Sequence, residues 1–290
     1  MRYSFIRSAQ LCEICAKEGL SVSEVMLRRE MERSERSRDD IMADLRSNLQ
    51  VMQTSITKGL DPENLHHGVF TGGDAVKLNH FAASSNMGRE MAEIVAAAIA
   101  VVEVNASMGK IVAAPTAGAS GILPAVLLVC GRKRNFDEEM LCRGLLTAGA
   151  IGCLIASNAS IAGASGGCQA ETGSAAAMAA GALTELCGGT PEMVFHAAAM
   201  ALKNVMGLVC DPVGGLVECP CVKRNAIGAA NAVVSCDMAL AGITSLIPFD
   251  EVVDAMKAVG NQMHPDLRET ARGGLAATPT GKALAEKLHQ

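Results

Sequence analysis

Residues 158–189 read NASIAGASGGCQAETGSAAAMAAGALTELCGG. From Thr172 the run is built largely of alanine, glycine and other small residues, and it stops at Gly188-Gly189. It predicts a helix whose narrow side chains let neighbouring helices approach closely, closed by the glycine pair. Working outward, Thr190-Pro191-Glu192 caps the next helix with proline in its first turn, and that helix runs toward Cys210 by way of Lys203-Asn204. Another small-residue helix leads from Cys221 to about Ala241, Phe249 to Met263 forms one more, and Pro279-Thr280 begins the last. On the other side, Met91 to Val104 is an apolar helix running into Asn105. β-Branched residues nowhere alternate with polar ones beyond a few positions, and no hairpin dipeptide joins two such runs. The expected fold is all-α, with residues 1–290 forming a single domain of tightly packed helices and functional loops at the helix ends.

Residues 1–60 read as a peripheral helical segment of that domain. Ser21-Val22-Ser23-Glu24 has the form of a capping box, and Leu45, Leu49, Met52 and Ile56 follow in helical spacing, which predicts one long helix to about Lys58. Charges alternate densely from Arg28 to Asp40, as on a solvated face, while Met26, Leu27, Met31 and Ile41 meet either this chain or another.

Half of the 290 residues are apolar, with 29 Gly and 16 Met but only six Phe, one Tyr and no Trp, so the core is expected to be built from close helix contacts rather than aromatic stacking. A net charge of −5 offers no basic field for nucleic acid or an anionic membrane surface. Residues 111–131 and 144–170 each contain a long charge-poor run, but they are interrupted by Pro115, Pro124, Asn158 and several Gly and Ser. Such interruptions leave polar groups facing lipid, so buried helices are expected and no membrane span. The N-terminus MRYSFIRSAQL lacks the apolar core of a signal peptide, which points to the cytoplasm.

Eleven cysteines, an odd number in a large apolar chain, do not resemble a secreted disulfide framework. Most are expected to pack as small apolar side chains, and Cys12 and Cys15 share one helical face. Three differ in their backbone setting. Cys168 follows Gly-Gly, Cys210 precedes Asp211-Pro212 and Cys221 follows Pro220, so each thiol lies where the chain turns. Thiolates gathered from separate turns suit an iron–sulfur cluster or a zinc ion, although separations of 42 and 11 residues match no standard ligand spacing.

AGASG occurs at 117–121 and again at 162–166, each time between charge-poor helical runs, which suggests two related helix–loop–helix units. Small residues leave backbone N–H groups open, and a loop feeding a helix start is a natural seat for a carboxylate. Gly118, Ser120, Gly121, Asn158 and Ser160 are therefore candidates for holding an amino acid, with Thr116, Arg224 and Asn225 beside them. The loop HHGVFTGGDAVK (66–77) lacks a phosphate-loop pattern but carries His67 and Lys77 as candidate bases.

The segments TGGDAVKL (71–78), EVNASMG (103–109), APTAGASGILP (114–124), NASIAGASGGCQAE (158–171), GLVCDPVGGLVECPCVKRN (207–225) and RETARGGLAATPTG (268–281) are similar to those of the alpha subunit of bacterial iron–sulfur L-serine dehydratases, nearly end to end. The resemblance implies a [4Fe–4S] cluster held by Cys168, Cys210 and Cys221, with one iron left free for substrate. It implies dehydration and deamination of L-serine to pyruvate and ammonia, and a separate beta subunit that supplies the second domain, with the base left open between the two chains. Cys219, two residues before Cys221, departs from the pattern and offers a competing thiol. The alternatives left open are a related cluster-dependent lyase acting on cysteine or threonine, and a helical scaffold subunit whose cysteines are only core. A pyridoxal-phosphate lyase fits less well, because no lysine stands in a recognisable cofactor-binding context.

Overall fold

The computed structural model describes residues 2–289 and contains thirteen α-helices, with no strand among the described residues. In chain order these are α1 (Ser8–Glu18), α2 (Val22–Ser34), α3 (Arg38–Gly59), α4 (Asp74–Phe81), α5 (Arg89–Ala106), α6 (Ile122–Arg134) and α7 (Glu138–Asn158). There follow α8 (Gly163–Gly166), α9 (Ser174–Leu186), α10 (Pro191–Lys203), α11 (Cys221–Leu240), α12 (Phe249–Gln262) and α13 (Pro279–Glu286).

The alanine-rich run becomes α9, which is buried on every side from Ser174 to Thr184. An interior helix has no polar face to give to water, and small side chains let it be surrounded. Helices α6, α7, α10 and α11 pack around it. At Gly181 a Cβ atom would run into the Ile151 side chain of α7 and stand 3.2 Å from Val194 of α10, so glycine is what permits the approach of α7. The neighbouring α7 is the one described helix long and apolar enough to cross a membrane, yet 67% of its apolar window is buried inside this fold. Aromatic packing is confined to places such as Phe195 against Phe249, with ring centroids 5.4 Å apart, where α12 meets α10.

The long helix expected from Ser21 to Lys58 is two helices. Glu35 adopts a left-handed conformation with φ 56°, and Ser37 then starts α3 by accepting from the Asp40 amide while the Asp40 carboxylate accepts from Ser37. The charge-dense segment has no continuous apolar stripe to hold one straight helix, and Ser-x-x-Asp supplies a new start. Glu24 ties the two halves together, pairing with Arg28 at 2.7 Å and with Arg38 at 2.6 Å. Leu11, Val22, Met26, Leu27, Ile41, Leu49, Met52 and Ile56 all enter the main core, and Met31 packs on its edge. These apolar faces meet this chain's own core.

Candidate active site

Three loops converge at the N-terminal ends of α9 and α11. The first carries Cys168 into a π turn, Gln169–Gly173, that feeds α9. Extra-wide turns of this kind recur at functional sites because they displace side chains from the regular helix face. Gln169 has no solvent exposure, and its amide is fully engaged: it donates to the carbonyls of Gly166 and Met256 and accepts from the Gly207 amide at 2.8 Å. This locks the Cys168 turn against the segment leading to Cys210.

The second loop holds Cys210 between two backbone hydrogen bonds. Its amide donates to Leu267 and its carbonyl accepts from Glu269, both at 2.8 Å. Glu269 and Ala271 have positive φ values of 62° and 54°, which side-chain-bearing residues adopt at an energetic cost. The next residue, Asp211, is buried, accepting from Arg224 at 2.8 Å and from the Leu275 amide at 2.7 Å. Arg224 also donates to the Val209 carbonyl at 2.7 Å. The segment 265–275 is thereby drawn over Cys210.

The third loop ends at Cys221, the first residue of α11. Asn225, one turn on and fully buried, receives the Gly121 amide and donates to the carbonyls of Gly118 and Cys221. Its side chain therefore staples the 117–121 loop to the start of α11, which leaves its amide no free donor for a ligand.

The three thiols feel one another. Burial pushes Cys221 up to about 12, with Cys168 and Glu171 adding to the effect. Burial likewise raises Cys210, followed by Cys168, Glu171, Glu269 and Cys221. Cys168 is raised by burial, opposed by the Thr172 hydroxyl, 3.1 Å from its sulfur, and by Arg224 nearby. Among the described residues no three Cys, His, Asp or Glu side chains close around a single-ion site. A cavity of about 480 Å³ opens beside Thr172 and Arg224, bounded by residues 204–208 and Ile227.

The repeated AGASG loops meet at a residue that sequence reasoning passed over, Glu171. A Cβ on Gly118 would lie 3.6 Å from its Oε1, and one on Gly163 would lie 2.7 Å from its Oε2 and 3.0 Å from the Cys210 sulfur. Burial raises the Glu171 carboxyl above the usual range. The Thr116 hydroxyl is buried nearby with no partner in hydrogen-bonding geometry. One signal in the chain marked Glu171, since it is the first charge after the uncharged run 144–170.

Other candidates are engaged with partners of their own. The Lys77 ammonium is exposed and pairs with Asp74 at 3.0 Å. His67 sits in the loop preceding α4, bridged to Gly72. That loop is anchored by Glu218, a buried carboxylate that accepts from the amides of Val69, Phe70 and Thr71. Asn158 donates to the carbonyls of Ile6 and Leu154, while Ser160 pairs with Ser165 and accepts from the Ala162 amide. Ser120 is buried and its hydroxyl donates to Ala117. Cys219 is half-buried.

Residues 17–276 match the family model described as serine dehydratase alpha chain. The chain is 52% identical to a probable L-serine dehydratase alpha chain of Bacillus subtilis, over 96% of this chain and 93% of that protein. It is 47% identical to the L-serine dehydratase alpha chain of Peptoniphilus asaccharolyticus, over 95% of each. An L-serine dehydratase of Streptomyces coelicolor is 42% identical over 95% of this chain but only 61% of its own length. A match that runs through all three converging loops, at this identity and coverage, places the chain in the serine dehydratase alpha chain family.

Proposed function

We propose that this chain is the cluster-bearing alpha subunit of an L-serine ammonia-lyase, converting L-serine to pyruvate and ammonia in the cytoplasm. The observation that carries the proposal is the meeting of Cys168, Cys210 and Cys221, from three separate segments, within electrostatic reach of one another. Their chemistry fits a [4Fe–4S] cluster. Three soft donors carried by separate turns suit iron better than hard cations. Burial and mutual repulsion hold these groups as thiols, and a cationic centre would offset the cost of binding them as thiolates. Bound there, the cluster would supply Lewis acidity at an iron without a protein thiol, easing departure of the serine hydroxyl as hydroxide.

The chain's own residues supply the rest. The Thr172 hydroxyl lies 3.1 Å from the Cys168 sulfur, placed to donate to it as a thiolate, and Arg224 adds positive charge on the same side. The 116–121 loop, stapled by Asn225, presents Gly118 toward the Glu171 carboxylate, which suits a small amino acid. The Cα proton needs a base. Lys77 is engaged with Asp74 at the surface, so His67, in the loop that Glu218 anchors, is this chain's candidate. Two relatives are themselves named alpha chains, and the Streptomyces protein extends well beyond the matched region. Both facts support a separate beta subunit as partner, carrying the remaining domain.

The test is anaerobic co-expression with that partner, followed by iron and sulfide quantification and turnover of L-serine, L-threonine and L-cysteine. Cys168→Ala, Cys210→Ala and Cys221→Ala should each abolish cluster retention. Cys12→Ala and Cys130→Ala should keep iron and lose about 1–2 kcal/mol of stability. Full iron in a Cys210 variant, or serine as the poorest substrate, overturns the reading.

A further inference from the structure

Helices α9 and α11 run side by side in the same direction. At their starts Gly228 faces Thr172, where a Cβ would stand 3.1 Å from the threonine methyl, and at their ends Gly189 faces Leu240, at 3.3 Å by the same measure. The starts carry Cys168, through the π turn, and Cys221, while the ends carry a second pair of thiols, Cys187 and Cys236. The 13 residues of α9 separate the two places by roughly 20 Å, at 1.5 Å of rise per residue. Cys236 lies one turn before Leu240 on the face of α11 that meets α9, has no solvent exposure, and hydrogen-bonds to the Cys187 thiol. Cys187 is half-buried at the end of α9, and Gly188 follows it in a left-handed conformation with open space beside it. A cavity of about 450 Å³ reaches this end of the helices, lined by Cys130, Arg134, Leu183, Val233 and Asp237 among others. Arg134 favours the Cys187 thiolate and Asp237 opposes it. Two sulfurs in hydrogen-bond contact, one of them reachable from solvent, are the arrangement of a reactive dithiol.

We propose that Cys187 and Cys236 form a redox-active dithiol, a second site in this chain that reacts with a peroxide and closes to a disulfide joining the ends of α9 and α11. The inference is independent of what Cys168, Cys210 and Cys221 hold. Cys187 is the reachable thiol, so its thiolate attacks one peroxide oxygen; the O–O bond breaks, and the departing hydroxide takes a proton and leaves as water. The Cys236 sulfur then attacks the resulting Cys187 sulfenic acid. An S–S bond forms, and the sulfenic hydroxyl leaves with the Cys236 proton as a second water. The two thiols together lose two electrons, and one peroxide is reduced to two waters. Cys130, also near Cys187, is almost fully buried and pushed up to about 12 by that burial, so it stays a thiol. The other close pair, Cys12 and Cys15, lies within α1 three residues apart, and burial pushes both up to about 12. A helix holds such a pair with Cβ atoms about 5–6 Å apart, too far for a disulfide.

The test uses the full chain co-expressed with the partner chain, purified with reductant and then freed of it under anaerobic conditions. Hydrogen peroxide is added, the remaining thiols are blocked with iodoacetamide in denaturant, and the protein is digested without reduction for mass spectrometry. The expected product is a linked peptide pair carrying Cys187 and Cys236, lighter by about 2 Da than the two thiol peptides together, with dithiothreitol restoring both. It should form at least roughly 10-fold faster than the Cys12 or Cys15 thiol is lost. In Cys236→Ser the Cys187 sulfenic acid has no thiol to resolve it, so dimedone should label Cys187. In Cys187→Ser, Cys236 should stay reduced. Three results overturn the inference: both thiols still alkylated in the wild type after peroxide, Cys187 linked to Cys130 instead, or no dimedone on Cys187 in Cys236→Ser. The wild-type linkage decides the question even where a variant fails to fold.

Discussion

Burial has opposite consequences for different cysteines. Cys12, on α1, is pushed up to about 12 by desolvation, with Glu192 and Asp250 adding to the effect. Cys187, at the end of α9, is lowered instead, because the Cys236 thiol of α11 hydrogen-bonds to it. Thiolate, not thiol, reacts with alkylating agents. Iodoacetamide titrated against the folded protein should therefore modify Cys187 at a lower pH than an ordinary thiol, while Cys12 remains unlabelled to well above pH 9. Peptide mapping by mass spectrometry checks this, and faster labelling of Cys12 would contradict it. The same contrast explains why composition could not sort the eleven cysteines. Their turn positions singled out Cys168, Cys210 and Cys221, but the reactivity of Cys187 depends on a partner 49 residues away in sequence.

At the scale of elements, carboxylates that end inside the protein hold loops in place. Glu218 gathers the amides of Val69, Phe70 and Thr71, and a Cβ at Gly68 would run into its carboxyl group. Glutamine at this position offers one accepting oxygen and turns an NH2 group toward backbone donors. Glu218→Gln should cost about 2–3 kcal/mol and speed hydrogen exchange at residues 69–71 more than in α9, which exchange mass spectrometry would resolve. Unchanged exchange at 69–71 would show that the loop is held by other means. Helix starts were readable because a cap needs only neighbouring residues: Thr190 accepts from the Met193 amide at 3.3 Å, and Ser21 from the Glu24 amide at 3.3 Å. The break at Glu35 was missed because Ser37-Asp40 is one more local signal inside a segment whose charges suited a continuous helix equally well.

Across the whole molecule, the site joins segments that share little else. Cys168 leads into the central α9, Cys210 is covered by residues 265–275, and Cys221 opens α11. A ligand held by all three links these parts in the folded state alone, and binding to the native state raises its stability by mass action. Reconstitution with iron and sulfide without oxygen should raise Tm by about 5–10 °C relative to the iron-free protein. Cys221→Ala should abolish that rise. An equal rise in the variant would show that iron binds elsewhere.

Local and periodic features were determined by the sequence alone: an all-α fold, a central helix of small residues, most of the helix ends and the turns that carry three cysteines. These follow from short-range sterics, caps and the 3.6-residue period, which act between residues close in the chain. Only the tertiary structure decided that the two AGASG loops face one carboxylate, that Asn225 staples one of them to α11, and that Lys77 lies on the surface with Asp74. Those facts depend on which distant segments are brought together when α9 is buried, and no periodicity in the chain records the partner of a buried charge.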